Sequence, residues 1–208
     1  MTDSGHPTAL LFDLGNVAID IDFDRAFVSW SNHSGVSVDL LRQRFRQEDA
    51  YARHERGEID FATYAGHLRH LLGVEIGDDD LKSGWNAIYV RERPGMRDLL
   101  RRCAARLPTL AFTNTNATHQ RVWSSLYPEL LSHFSQIYVS SDLGLRKPDT
   151  IAYDAVIQAM GCRADQVLFF DDMQQNIDGA RAAGLRAVLV NCLEDVTGAV
   201  APILEESA

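Results

Sequence analysis

The sequence predicts an α/β fold, a doubly wound parallel sheet interrupted after its first strand by a small helical cap. Three observations predict it. Five short apolar runs, at residues 9–14, 109–113, 137–139, 167–170 and 187–190, have the length of buried strands. Segments of helical character separate the later runs, and strands alternating with helices build a parallel sheet covered on both faces. Between about Ile21 and Arg93, by contrast, no strand pattern is visible and helical spacing dominates.

Taken in order, the first run delivers Asp13 to a turn. The insert occupies residues 21–92 and leaves 1–20 and 93–208 to the core. Inside the insert, Phe61, Tyr64, Leu68 and Leu72 fall on one helical stripe, with Asp60 placed to cap the helix and Gly73 to end it. Pro94-Gly95 marks the return to alternating strands and helices. The insert is expected to lie over the strand ends like a lid.

Bulk properties narrow the function by exclusion. A chain of 208 residues suits one domain, with or without a smaller insert. Its formal charge of -9 supplies no basic field for a nucleic-acid backbone, and Arg42, Arg44 and Arg46 read as a solvated helix face. Cys103, Cys162 and Cys192 are odd in number and widely spaced, so they read as reduced thiols of a cytoplasmic protein, without zinc. No run approaches the roughly eighteen apolar residues of a membrane span, and no signal-peptide pattern opens the chain. The glycosylation-like triplets at Asn32 and Asn116 therefore read as chance matches.

Ligands of open α/β sheets bind beyond the carboxyl ends of the strands. That rule selects Asp13 after the first strand, Thr113 and Asn114 after the second, and Asp171 with Asp172 after the fourth; the loop after the third carries Lys147. Carboxylates beside a lysine suit a cation and a phosphate. Asp13 and Asp172 have the hard oxygen donors that Mg²⁺ prefers, while Lys147, Thr113 and Asn114 are placed to hold phosphoryl oxygens. Asp13 is then free to attack phosphorus. The expected partner is a small phosphorylated metabolite, with no nucleic acid and no membrane.

Four ordered segments, "FDLGNVAID", "AFTNTN", "LGLRKPD" and "VLFFDDMQQNIDGA", resemble the motifs of the haloacid dehalogenase superfamily over nearly the whole chain. The resemblance implies a Rossmann-like core, the small cap of the first subclass, and Mg²⁺-dependent phosphate-ester hydrolysis. Position by position, it implies Asp13 as nucleophile, Thr113 as the motif-two hydroxyl with Asn114 beside it, and Lys147 as the motif-three lysine. Asp171 and Asp172 match the acidic pair, Asp172 touching the metal and Asp171 supporting or sharing it; Asn176 is placed either to orient them or simply to start a helix. "DIDFDR", "HERGEI", "YPE" and "DLGLRKP" are also similar to the bacterial alpha-D-glucose-1-phosphate phosphatases, which implies a small sugar phosphate.

One part departs from the pattern. Where the superfamily's phosphatases carry a second Asp, two residues after the nucleophile, this chain has Gly15. The backbone carbonyl of Gly15 is still available to a metal, but proton transfer is lost, a contribution typically worth roughly 10²–10⁴-fold in rate. A sugar phosphorylated at its anomeric carbon relaxes the need, because its departing hemiacetal oxygen is more acidic than an ordinary alcohol. His119, Asp20 and Asp22 are alternative sources of a proton, each more readily read as structural or solvated. Asn16 reads as a turn residue tolerant of left-handed geometry. For the leaving group, the cap offers His54, Glu55, Arg56, Trp85 and Asn86. Two rival readings stand beside the phosphatase: a 2-haloacid dehalogenase and a catalytically silent phosphoryl-ligand binding module.

Overall fold

The structure, a computed structural model, describes residues 6–205, so the expected core segments 1–5 and 206–208 lie outside the described residues. The strands are β1 (Ala9–Phe12), β2 (Ile19–Ile21), β3 (Tyr89–Glu92), β4 (Thr109–Thr113), β5 (Gln136–Val139), β6 (Val167–Asp171) and β7 (Arg186–Leu189). Five of them form one parallel sheet in the order β5-β4-β1-β6-β7. The helices of the insert are α1 (Asp24–Ser34), α2 (Val38–Arg44), α3 (Asp49–Glu55), α4 (Phe61–Leu72) and α5 (Asp78–Asn86). Those of the core are α6 (Met96–Ala104), α7 (Ala117–Leu126), α8 (Pro128–Leu131), α9 (Ser140–Leu143), α10 (Thr150–Met160), α11 (Gln174–Ala182) and α12 (Leu193–Glu205).

The pleat explains why the strands are apolar throughout. Side chains alternate across a strand, so Leu10 and Phe12 enter one core with α6, α8 and α12, while Ala9 and Leu11 enter the other with α10 and α11. Both faces are covered, and β1, the central strand, is buried at every position. Phe12 stacks on Phe170 of the neighbouring strand at 4.5 Å, which fixes the two carboxyl ends side by side.

The insert follows β1 and has its own core around Trp30, Tyr64, Leu68, Leu72 and Trp85. Its α4 forms as the spacing predicts: Asp60 Oδ1 accepts from the Thr63 N–H at 2.9 Å, and Gly73 ends the helix at φ 63°. The expectation of no strand between Ile21 and Arg93 fails at one place. Ile19–Ile21 pairs antiparallel with Tyr89–Glu92, closing the insert at its neck as a two-stranded ribbon. Each half of that ribbon is only three or four residues long and finds its partner from far along the chain, so no local rhythm announces it.

The basic trio is also divided. Arg42 is exposed and pairs with Asp24 and Asp39, but Arg44 is half-buried and donates to the Leu72 carbonyl at the end of α4. Asn116, within the second triplet, is buried and caps α7, accepting from the Thr118 and His119 N–H groups. All three cysteines are free. Among the described residues, no helix is long and apolar enough to cross a membrane.

Candidate active site

The four segments selected at strand ends meet in one crevice between sheet and insert, a cavity of about 280 Å³. Asp13 leaves β1 with its N–H donating to the Phe170 carbonyl at 2.8 Å, and the residue is 8% exposed. Lys147 is 1% exposed, and its ammonium reaches Asp171 Oδ2 at 2.6 Å, Asp13 Oδ1 at 2.9 Å and the Phe112 carbonyl at 2.9 Å. The Asp13 contact is an ion pair without hydrogen-bond alignment, which leaves that oxygen otherwise unpartnered. Asn114 lines the cavity and also braces the lysine: its Nδ2 donates to the Lys147 carbonyl at 2.8 Å and its Oδ1 accepts from the Lys147 N–H at 2.9 Å. It thereby positions the lysine, and Thr113 lines the same cavity. Gly179 of α11 backs onto the Pro148 carbonyl so closely that a Cβ would collide with it, which holds the lysine loop against the acidic pair.

The acidic pair is asymmetric. Asp171 is fully buried; Oδ1 accepts from the Met173 N–H and from Asn176 Nδ2, both at 2.9 Å, and Oδ2 holds Lys147. Asp172 is more open and accepts from Asn16 Nδ2, at 3.2 Å. Asn16 has φ 52°, the left-handed geometry expected of it, and its side chain also accepts from the Ile21 N–H. Its bond to Asp172 is a second role that the turn alone does not reveal.

Three carboxylates this close repel one another. Oxygens of Asp13, Asp171 and Asp172 all lie within 4.8 Å of each other. Burial pushes the Asp13 carboxyl up to about 7, Lys147 pulling it down and both neighbouring acids adding to the rise. Burial likewise raises Asp172, helped by Asp171. At Lys147 burial opposes the charge, but Asp13 and Asp171 outweigh it and hold the ammonium above the ordinary lysine range. A cluster of hard oxygen donors with a surplus of negative charge is a fitting site for a divalent cation such as Mg²⁺.

Gly15 lines the same cavity. A Cβ there would lie 3.3 Å from the end of the Ile21 side chain and 3.9 Å from Asp13 Oδ2, so space alone does not forbid a larger residue. None of the suggested substitute acids lines this cavity. His119 is buried, stacks on Trp85 at 4.6 Å and donates from Nε2 to the Trp85 carbonyl at 2.9 Å. Burial drops it to about 3, leaving it neutral where an acid must be charged. Asp20 is paired with Arg91 and Arg93 across the neck, and Asp22 accepts from the Asp24 N–H at the start of α1.

The wall contributed by the insert differs from the expectation. Trp85 is buried within the insert core, His54 stacks on Tyr64 away from the crevice, and Arg56 pairs with Glu58. Asn86 is not among the residues lining the cavity. Only Glu55 of that set lines it, joined by Phe23, Gln47 and Tyr51, and by Arg146 from the lysine loop. Burial raises the Glu55 carboxyl, and Arg146 pulls it back. Arg146 was legible as the neighbour of Lys147 in "GLRKP", but nothing local shows that it meets an acid 91 residues away.

Comparison with known proteins agrees with this geometry. The haloacid dehalogenase-like hydrolase family matches residues 7–184, and the chain belongs to that family. It is 26% identical to phosphatase MT3486 of Mycobacterium tuberculosis, over 88% of this chain and 87% of that protein. It is 23% identical to the D-ribitol-5-phosphate phosphatase of Bacteroides thetaiotaomicron, over 84% and 87% of the two. A haloacid dehalogenase-family enzyme of B. thetaiotaomicron, solved with magnesium and inorganic phosphate, shares the fold at a TM-score of 0.80 and 23% identity, covering 93% of this chain and 98% of that one.

Proposed function

We propose that this phosphatase of the haloacid dehalogenase-like family hydrolyses a small sugar phosphate, with alpha-D-glucose 1-phosphate as the leading candidate, through a phosphoryl group carried on Asp13. The observation that supports it most is the convergence of a buried aspartate, a lysine paired with it, and an acidic pair at adjacent strand ends. The related phosphatases, and the magnesium and phosphate in the B. thetaiotaomicron structure, support the same reading. Asp13, Asp172 and the Gly15 carbonyl are the proposed holders of Mg²⁺, with Asp171 in support. When bound, the ion supplies positive charge that lets an anionic ester approach an anionic nucleophile.

The chain's own residues carry the rest. A carboxylate oxygen of Asp13 bonds to phosphorus as the ester P–O bond breaks, and the departing oxygen takes the electron pair. Lys147 offsets the charge on the phosphoryl oxygens, Thr113 offers them a hydroxyl, and Asn114 keeps the lysine in place. With no side chain at position 15, a hemiacetal oxygen is the departing group best suited to the site. Residues 21–92 act as the cap over a core of 1–20 and 93–208, and the free cysteines suit a reducing, cytoplasmic setting.

The dehalogenase reading fits less well, because Asp171 and Asp172 would repel a carboxylate substrate. The test is phosphate release from a panel of sugar phosphates, with Mg²⁺ and with a chelator, in native and Asp13→Asn protein. Metal-dependent release from a sugar 1-phosphate that vanishes in the variant is the expected result. Ligand binding without release from any ester would establish the silent module instead.

A further inference from the structure

The cavity-lining residues include two cations, Lys147 and Arg146, against the carboxylates of Asp13, Asp172 and Glu55. Lys147 is committed to the floor of the crevice. Arg146 is committed to Glu55: its Nε at 2.9 Å and its Nη2 at 2.8 Å both end on the same oxygen, Oε2. The two side chains are 20% and 7% exposed, so the pair is largely shielded from water.

The pair is also held where it is. Ser140 Oγ donates to the Glu55 carbonyl at 2.7 Å and accepts from the Thr115 N–H at 2.8 Å, tying the end of α3 to the core. Just beyond, Gly57 has φ 69° and lies so near the Ser141 carbonyl that a Cβ would collide with it. These contacts fix the backbone at Glu55, so the residue stays beside Arg146 on the crevice wall while the insert is docked.

We infer that Glu55 is a specificity-determining residue: by neutralising Arg146 on the crevice wall, it selects phosphate esters whose leaving group is uncharged and hydroxyl-bearing, and rejects those with a second anionic group. This rests on the phosphatase reading for the place of the phosphate, and goes beyond it in assigning the wall. A second carboxylate or phosphate on the substrate needs an uncommitted cation. To take Arg146 it must displace an acid held by one charge-assisted hydrogen bond and a second close ion-pair contact, and it meets the repulsion of that acid on the way. A hydroxyl uses what remains, namely Arg146 Nη1 as donor and the Gln47 amide as either, beside a Tyr51 hydroxyl that itself hydrogen-bonds the Glu55 carboxylate. The sequence signal is "HER" in the insert and "LRK" in the core, two stretches whose meeting only the fold reveals.

The test compares 2-hydroxyethyl phosphate with phosphoglycolate, which differ in a terminal alcohol against a carboxylate. Affinities are measured by calorimetry with Mg²⁺ in the Asp13→Asn protein, so that neither ester is consumed. The neutral ester is expected to bind at least tenfold tighter. Adding Glu55→Gln should shift the ratio at least tenfold toward phosphoglycolate, and adding Arg146→Gln as well should remove that gain. Equal or reversed affinities with Glu55 intact overturn the inference without need of any Glu55 variant. So does a ratio unmoved by Glu55→Gln, and so does failure of both esters to bind. Phosphate release by the native protein is read separately: metal-dependent release beside an unmoved ratio removes this inference and leaves the phosphatase reading standing.

Discussion

The floor of the crevice and its wall are built in different ways. On the floor, Asp13, Lys147 and Asp171 are buried, each fixed by a strand end or by the loop that follows one, with the lysine paired to both acids. On the wall, Glu55, Tyr51 and Gln47 come from the insert and reach the cavity only because α3 docks on the core. In the proposed reading the floor treats the phosphate, which every substrate shares, and the wall meets the part that varies. Chemistry and selectivity would then be carried by different parts of the chain, and the two can be broken separately.

The largest effect is expected on the floor. Lys147→Met removes the one cation between Asp13 and the fully buried Asp171. Breaking a buried pair by deleting one partner costs about 3–5 kcal/mol, so urea unfolding should show a loss of that order, with Mg²⁺ restoring part of it. Phosphate release should vanish in the same variant. A protein that keeps both its stability and its turnover would mean that the floor is not a single electrostatic unit.

A comparable effect, spread over pH, is expected where insert meets core. His119 is held at about 3 by burial, against 6.5 for the ordinary group. The unfolded chain therefore takes up a proton near pH 6.5 that the folded protein refuses until about 3. The stability from this group is fully present above 6.5 and is lost as pH falls through the window, roughly 4–5 kcal/mol in all. Other acids titrate in the same range, so the informative quantity is a difference. His119→Phe, which keeps a ring against Trp85, should lose less stability between pH 7 and pH 4 than the native protein does. Identical slopes would mean that the histidine is not buried in its neutral form.

The smallest effect sharpens the boundary between the two regions. Gly15→Asp has room beside Ile21, provided the end of that side chain shifts by a few tenths of an ångström. The variant should raise turnover of an ordinary alkyl phosphate by at least about tenfold, at the low end of what a positioned acid supplies. It should raise turnover of a sugar 1-phosphate much less, because that leaving group needs little protonation. Equal gains on both would remove the link between the glycine and the substrate.

The same division decides what was legible in the sequence. Asp13, Thr113 and Asp171 stand at the ends of apolar runs and Lys147 in the loop after another, so the strand rhythm and the rule of strand ends suffice to place them together. Asp60 and Gly73 are equally local, and α4 forms between them. The neck ribbon was not legible, since its pairing depends on where the insert returns rather than on any pattern within Ile19–Ile21 or Tyr89–Glu92. Trp85 reads as a cap residue for the leaving group because aromatic rings serve both ligands and cores, and burial alone separates the two uses. Asn114 reads as a phosphate ligand from its type alone, whereas its two bonds to the backbone of Lys147, which brace the lysine, come only from the fold. Glu55 was visible as a residue, but its partner Arg146 was not, and the pair defines the wall.

The central claim is that Asp13 carries the phosphoryl group in a site that lacks the usual means of activating water. Dephosphorylation is then the slow half of the reaction, and the phosphorylated protein accumulates. The direct measurement is the intact mass of the protein, acid-quenched during turnover of a sugar 1-phosphate with Mg²⁺, followed by mapping of the modified peptide. The account predicts one added phosphoryl group, on Asp13, present in the native protein and absent from Asp13→Asn, which also releases no phosphate. Turnover without any adduct, retained in Asp13→Asn, would contradict it.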